Sequence, residues 1–158
     1  RILRAAQPHI KKLFLQEKEQ GITNFRKVVN ISSTSGMNEN AGQINYATAK
    51  AGVVGMAKTM AKEWGRYNVN VNAVGFGLIK TRLTDADAEK EESLIDIEGN
   101  KIKVGVNSAV FQSAKTMIPL GRPGTPEEAA GAIYMFCIPE SNYVTGQILM
   151  CHGGGFGL

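Results

Sequence analysis

Apolar and polar positions recur along this chain with two different periods. Residues 1 to about 19 place apolar side chains at 2, 3, 6, 10, 13 and 14, a spacing that predicts one amphipathic helix with Pro8 near its start or at a kink. No capping residue precedes that helix. Gly21 to Asn24 reads as a turn. Arg26 to Ile31 is apolar on both faces at Val28, Val29 and Ile31, as strands covered by helices on both sides are. Ser32 to Gly42 is a loop rich in Ser, Gly and Asn. From Ile44 to Gly65 the helical period returns, with Val53, Val54, Ala57, Met60, Ala61 and Trp64 in one stripe. Gly52 and Gly55 inside it each cost about 0.5–1 kcal/mol relative to Ala, which points to a close backbone approach by a sheet or a partner helix.

The second half repeats the alternation. Val69 to Val74 predicts a strand, and Gly75 to Thr81 a loop at its end. Residues 85–98 hold seven acids and one lysine, a solvated segment. It leads into 95–104, whose alternation about Gly99-Asn100 predicts a hairpin. Asn107 to Met117 is expected to be a short helix. Gly121 to Gly124 is a turn, after which Thr125, Pro126 and Glu128 spell a capping box for a helix to about Cys137. Val144 to Met150 is the last expected strand. The glycines at 153–155 follow a strand but open no helix, so they are not a phosphate loop. These elements predict an α/β fold: three parallel strands (26–31, 69–74, 144–150) with helices on both faces, its site at the carboxyl ends of the strands.

Composition changes this picture little. At 158 residues, 43% hydrophobic and 20% charged, the chain has the size and balance of one globular domain that buries about two-thirds of its unfolded surface. No apolar run approaches the ~18 residues of a membrane span, and Arg1-Ile-Leu-Arg4 does not read as a signal peptide. Cys137 and Cys151 are too few for a disulfide framework and lack metal-ligand spacing, so no metal is expected and the thiols read as buried or inert in a reducing cytoplasm. Residues 1–27 carry seven Lys or Arg against Glu17 and Glu19, a net +5, while the remainder nets −1. The basic residues interleave with Leu3, Ile10, Leu13 and Phe14 without an aromatic stacking set. They form the wet face of a helix, not a nucleic-acid surface.

The chemistry concentrates between residues 30 and 50. Tyr46 and Lys50 are four apart on the predicted helix, so phenol and ammonium share a face. An isolated phenol titrates near ~10; a neighbouring ammonium favours the phenolate and brings such a group toward acid–base use. Ser33, thirteen residues before Tyr46, can hydrogen-bond a substrate oxygen as charge develops on it, and strand alternation sends Ser32 to the opposite face. These groups can protonate a ketone or deprotonate an alcohol, but no side chain can take two electrons, so a hydride carrier is required. Asn30 is expected to hold the loop, and His9 to be exposed; His152 is expected to be a solvent-exposed tail residue, with a place near substrate or a subunit contact as the alternative.

Asn30-Ile-Ser-Ser33, Tyr46-x-x-x-Lys50, Val71-Asn72-Ala73-Val74, Thr81 and Gly124-Thr-Pro-Glu-Glu128 together resemble the short-chain dehydrogenase/reductase family, in particular its 3-oxoacyl-carrier-protein-reductase-like branch. The resemblance runs over nearly the whole chain. It implies catalysis by Ser33, Tyr46 and Lys50, and binding of NAD or NADP by Tyr46, Lys50 and the loop of Gly77, Ile79 and Thr81 that lies against the nicotinamide. Thr81 is thus expected to be a cofactor contact, with a turn-capping hydroxyl as the alternative. The family has Pro-Gly where this chain has Phe76-Gly77, which puts the loop geometry in question. The 82–118 insert stands where the family carries its substrate lid and is longer than usual there.

The resemblance also marks what is missing. The glycine-rich phosphate turn, the ribose reader and a further catalytic Asn belong to an amino-terminal half that is not in these 158 residues. The chain thus reads as the carboxyl-terminal part of a doubly wound, Rossmann-like sheet, one domain over 1–158, beginning inside a helix. Residues 26–31 are expected at a sheet edge. Helix 44–65 is expected to join a homo-oligomer, a dimer or tetramer. The expected partner is otherwise a small carbonyl or alcohol substrate in the cytoplasm, with neither nucleic acid nor membrane. The rival is a truncated, non-catalytic binding or assembly module of the same fold.

Overall fold

The computed structural model describes residues 1–38, 41–81, 94–97, 99–103, 113 and 116–155. Helix α1 (Ile2–Glu19) leads into β1 (Arg26–Ser33) and a single 3₁₀ turn (Thr34–Gly36). Helix α2 (Ile44–Trp64) and β2 (Val69–Phe76) follow. Beyond these lie β3 (Leu94–Ile97), β4 (Asn100–Lys103), α3 (Pro126–Tyr134) and β5 (Ile148–Cys151). β1, β2 and β5 form one parallel sheet in that order, with Arg26 opposite Val69 and Ala73 opposite Ile148. The α/β class and the parallel pairing agree with the sequence reading.

Strand β2 is the centre of the domain and is buried from Val69 to Gly75. Its alternation divides the core. Val69, Val71 and Ala73 face one side, where Ala57, Met60, Ala61 and Trp64 of α2 cover them, with Leu3 and Ile10 of α1 beside. Val74 faces the other, packed with Ala132 and Phe136 and flanked by Val29, Phe76 and Leu149. Helices therefore cover both faces.

α1 runs through Pro8 and has no side-chain cap at its start. Its inward line is narrower than the sequence implied: Ile2 is 84% exposed and Leu13 46%, because Leu3, Ile10 and Phe14 are the positions that meet the sheet and Tyr67. At its far end Glu17 accepts a bidentate pair from Arg26 (2.6 and 2.9 Å), which ties the helix to the first residue of β1. β1 lies at the edge, with Ile31 43% exposed. Of the two close approaches expected at Gly52 and Gly55, the one by the chain's own sheet is not made: both glycines are exposed, with open space around each.

Two elements end differently from expectation. β5 begins at Ile148, four residues late, because Asn70 and Asn72 hold the preceding segment by side chain. Asn72 donates to the Val144 carbonyl (3.0 Å) and accepts from the Gln147 N–H (2.9 Å); Asn70 donates to the Asn142 carbonyl (3.0 Å). Gly146 turns there at φ 72° and donates to the Val71 carbonyl. Helix α3 stops at Tyr134, three short of Cys137, though Phe136 still reaches the core. Cys137 is exposed rather than buried. Cys151 is half-buried, and that burial pushes its thiol up.

The expected hairpin is present: β3 and β4 pair antiparallel around Gly99 at φ 83°. Most of the 82–118 insert, including the bulk of the 107–117 helix, lies outside the described residues. None of the described helices is long and apolar enough to cross a membrane.

Asn72→Ala removes two part-buried hydrogen bonds from a residue only 1% exposed and leaves the Val144 carbonyl and the Gln147 N–H without that partner. Urea unfolding is expected to show a loss of about 2–4 kcal/mol, and a change under about 0.5 kcal/mol contradicts the clamp.

Candidate active site

The three parallel strands end at one rim, and each candidate residue sits on or just past it. β1 runs to Ser33 before turning into Thr34–Gly36, and α2 comes back so that its first turns lie over that rim. The close approach has a steric cause. A Cβ on Gly36 would lie 2.7 Å from the Lys50 carbonyl carbon and 2.8 Å from the Ala51 nitrogen, so only glycine lets the turn rest on the helix backbone. Ser32, buried, locks the contact by donating its hydroxyl to the Lys50 carbonyl at 2.8 Å.

That seating fixes Lys50. Its ammonium donates to the Ile31 carbonyl at 3.4 Å and stands 5.6 Å from the centroid of the Tyr46 ring. Tyr46 is 44% exposed, so part of its side chain is accessible to a ligand. The helical spacing of phenol and ammonium is thus realised as a physical pair at the end of β1.

Ser33 lies at the same strand end, two residues past the carbonyl that Lys50 reaches, and is 8% exposed. Its oxygen accepts from the Ser35 N–H at 3.2 Å, which caps the 3₁₀ turn. No hydrogen bond joins it to Tyr46 or Lys50, so the structure brings the serine to the rim without linking it to the pair. Ser32 and Ser33 part company as alternation requires, one toward α2 and the other into its own turn. Asn30 braces β1 to β2 by donating to the Asn72 carbonyl at 3.4 Å.

The second loop leaves β2 beside this rim. Phe76, where the family has proline, continues the ladder opposite Ser33 and Cys151 and packs its ring on the second core cluster. Phenylalanine keeps the N–H and the free φ that proline lacks, so this residue can stay in the ladder. Gly77 donates to the Cys151 carbonyl at 3.0 Å, and a Cβ there would meet the His152 Cβ at 2.7 Å. His152 is therefore half-buried against this glycine, not exposed as the sequence suggested; its Nδ1 accepts from the Gly154 N–H. His9 is exposed, as expected. Ile79 forms a parallel bridge with Gly124, and Thr81 is exposed at the end of the described stretch.

Two features escaped the sequence. A cavity of about 370 Å³ lies along α2, lined by Ser35, Gly36, Ile44, Ala47, Thr48 and Ala51 among others, on a helix face turned away from Tyr46 and Lys50. Arg122 grips Glu128 through both guanidinium nitrogens (2.8 and 2.6 Å) while Glu128 also accepts from the Thr125 N–H (2.8 Å). The capping box was legible; the arginine six residues before its glutamate was the unread signal. Among the described residues no group of three or more His, Cys, Asp or Glu is placed to hold a metal.

Residues 11–155 match the family model described as enoyl-(acyl carrier protein) reductase. A solved short-chain dehydrogenase from Bacillus anthracis is 32% identical, aligns over 91% of this chain and 49% of its own, and superposes with a TM-score of 0.63. This chain belongs to the short-chain dehydrogenase/reductase family. Curated relatives within it include 3-oxoacyl-[acyl-carrier-protein] reductases from Thermotoga maritima (42% identical over 127 residues, 80% of this chain and 44% of the relative) and Aquifex aeolicus (38% over 130 residues, 82% and 45%). A 4-hydroxyisoleucine dehydrogenase solved with NADH has the same fold at 22% identity and a TM-score of 0.64, over 91% of this chain and 51% of its own. The chain spans about half the length of the short-chain dehydrogenase/reductase relatives it matches.

The Arg122 fork and the Thr125 N–H hold the Glu128 carboxyl at about 2, well below the usual carboxylate range. Because the folded value is depressed, the contribution of this contact is complete above the ordinary value of about 4.3. It is lost as pH falls through about 2. A ¹³C titration of the Glu128 carboxyl is expected to have its midpoint near the lower figure; a midpoint near the ordinary one contradicts the contact.

Proposed function

We propose that this chain carries the proton-handling half of an NAD(P)-dependent oxidoreductase that interconverts a ketone and a secondary alcohol. The observation behind the proposal is the Tyr46–Lys50 pair, a partly exposed tyrosine with an ammonium 5.6 Å from its ring, fixed at the mouth of a parallel sheet. In the reducing direction the Tyr46 hydroxyl gives its proton to the carbonyl oxygen, and in the oxidising direction the phenolate takes it back. The Lys50 charge sits beside the ring as negative charge builds on the phenolic oxygen. Ser33 donates a hydrogen bond from its hydroxyl to the substrate oxygen and orients it, while one of its acceptor lone pairs is engaged by the Ser35 N–H.

The residues present fit the nicotinamide end of the cofactor. Lys50 has three N–H donors, of which the structure commits one, weakly, to Ile31 at 3.4 Å, leaving others for a ribose hydroxyl. Gly77, Ile79 and Thr81, on the loop that leaves β2, are proposed to contact the nicotinamide. Bound NADH or NADPH supplies the hydride; the side chains named here supply proton and orientation. The pyrophosphate end finds no glycine-rich strand–turn–helix in this sequence.

The names of the relatives indicate a 3-oxoacyl thioester as the first carbonyl to try, with 82–118 as the substrate lid. Helix α2 is proposed as the face of a homo-oligomer: Ile44 is 84% and Met56 39% exposed, and Gly52 and Gly55 have open space. The cytoplasm is the proposed location.

Titration with NADH and NADPH, followed by nicotinamide fluorescence, is expected to show saturable binding that Lys50→Ala weakens about 10- to 100-fold, the worth of a charged hydrogen bond. With acetoacetyl-coenzyme A as carbonyl, Tyr46→Phe is expected to lower kcat about 10²–10⁴-fold at little change in KM. Absence of saturable binding, or a Tyr46→Phe variant that keeps most of its turnover, overturns the proposal.

A further inference from the structure

Past Gly77 the loop leaves the sheet, because its last ladder bond is the one from Gly77 to Cys151. What then holds Leu78 to Lys80 is the turn before α3. Lys80 donates to the Gly124 carbonyl at 2.8 Å, Gly124 donates to the Leu78 carbonyl at 3.0 Å, and Ile79 pairs with Gly124 as a one-residue parallel bridge. Side chain supports backbone here: a Cβ on Gly124 would meet Ile79 Cδ1 at 2.8 Å, so the isoleucine lies flat over the glycine.

The turn itself hangs on one carboxylate. Glu128 takes both Arg122 nitrogens and the Thr125 N–H, and so brackets Gly124 from the two sides. Its helix is anchored in turn by Ala132, and just past its end by Phe136, both in the core. Gly121, at φ 70°, starts the turn by donating to the Ile118 carbonyl. An ordinary helix cap needs only Thr125 and Glu128. The arginine lies outside the capping box, and besides its fork on Glu128 it donates to the Pro123 carbonyl at 3.1 Å, next to Gly124.

We infer that Arg122 and Glu128 are positioning residues for the cofactor: by fixing the 121–125 turn they hold Ile79 and its neighbours at the rim where the nicotinamide end is read. This rests on the cofactor reading given above. Neither residue touches the reacting atoms; they act through Gly124 on the loop. The consequence is a specific pattern. Loss of either residue loosens Lys80 and Gly124 and weakens cofactor binding, while the Tyr46–Lys50 proton chemistry stays as it was.

Amide hydrogen exchange by ¹H–¹⁵N NMR and NADH titration, on the whole chain and on Arg122→Ala, Glu128→Ala and Arg122→Lys, test this together. Exchange at Lys80 and Gly124 is expected to quicken about 3- to 10-fold in both alanine variants, the scale of a surface ion pair with its attached hydrogen bond. Arg122→Lys, which keeps the charge but not the fork, should recover part of the protection. Ala73, whose N–H donates to Gln147 inside the sheet, is the internal reference and should not change. The dissociation constant for NADH should rise by a similar factor while kcat at saturating NADH holds. Wild-type exchange at Lys80 and Gly124 in Arg122→Ala overturns the inference, as does faster exchange with unchanged NADH affinity. If the unsubstituted chain binds no NADH, the cofactor reading has failed and this role falls with it; the exchange rates then show separately whether the bracket exists.

Discussion

The seating of helix α2 on the end of strand β1 is the constraint from which the rest of the site follows. Two small contacts make it: Gly36 resting on the backbone of Lys50 and Ala51, and the Ser32 hydroxyl bonded to the Lys50 carbonyl at 2.8 Å. Both act on the helix backbone at Lys50, the residue proposed to tune the Tyr46 phenol. Lys50 is held by its main chain while its ammonium spans from the Ile31 carbonyl to the Tyr46 ring. A displacement of the helix start would move phenol and ammonium away from the strand end together. The remainder of α2 supplies the anchor, through Ala57, Met60, Ala61 and Trp64 packed on the buried strand β2.

Around that centre the domain uses side chains where a longer sheet would use strands. Asn70 and Asn72, on the face of β2 opposite α2, hold residues 142–147 so that β5 enters in register at Ile148. β5 then delivers His152 against Gly77, and the turn at Gly124 takes up the loop beyond. Each step brings another piece of irregular chain to the same rim. A buried amide in a strand costs stability unless it is satisfied; Asn72 is satisfied at both its nitrogen and its oxygen, whereas the buried Asn70 Oδ1 has no hydrogen-bond partner among the described residues.

Periodicity was enough to read the α/β class, the parallel strands, the stripe of α2 and the capping box at Thr125, because each rests on a local pattern or on burial of one face. The Tyr46–Lys50 pair was legible for the same reason: four residues on a helix determine that two side chains share a face. Contacts between distant segments were hidden. The pattern of Val69 to Asn72 predicts a strand but not what covers its asparagines: Asn70 and Asn72 are buried and bonded by side chain to residues 142–147. Nothing local to His152 announces Gly77, and Arg122 reads as a loop charge until Glu128 is placed beside it. Ile2 and Leu13 were assigned to the inner stripe of α1 because hydrophobicity alone does not say which part of an apolar arc meets the sheet.

The proposed proton chemistry depends on the nearness of the Lys50 ammonium to the Tyr46 ring at the end of β1. The most direct measurement is the nuclear Overhauser contact between the terminal methylene protons of Lys50 and the ring protons of Tyr46 in the labelled chain. The account predicts a clear cross-peak that weakens in Gly36→Val, where the added side chain would push the turn off the helix. A lysine side chain with free-rotor dynamics and no cross-peak to the ring in the unsubstituted chain would contradict it.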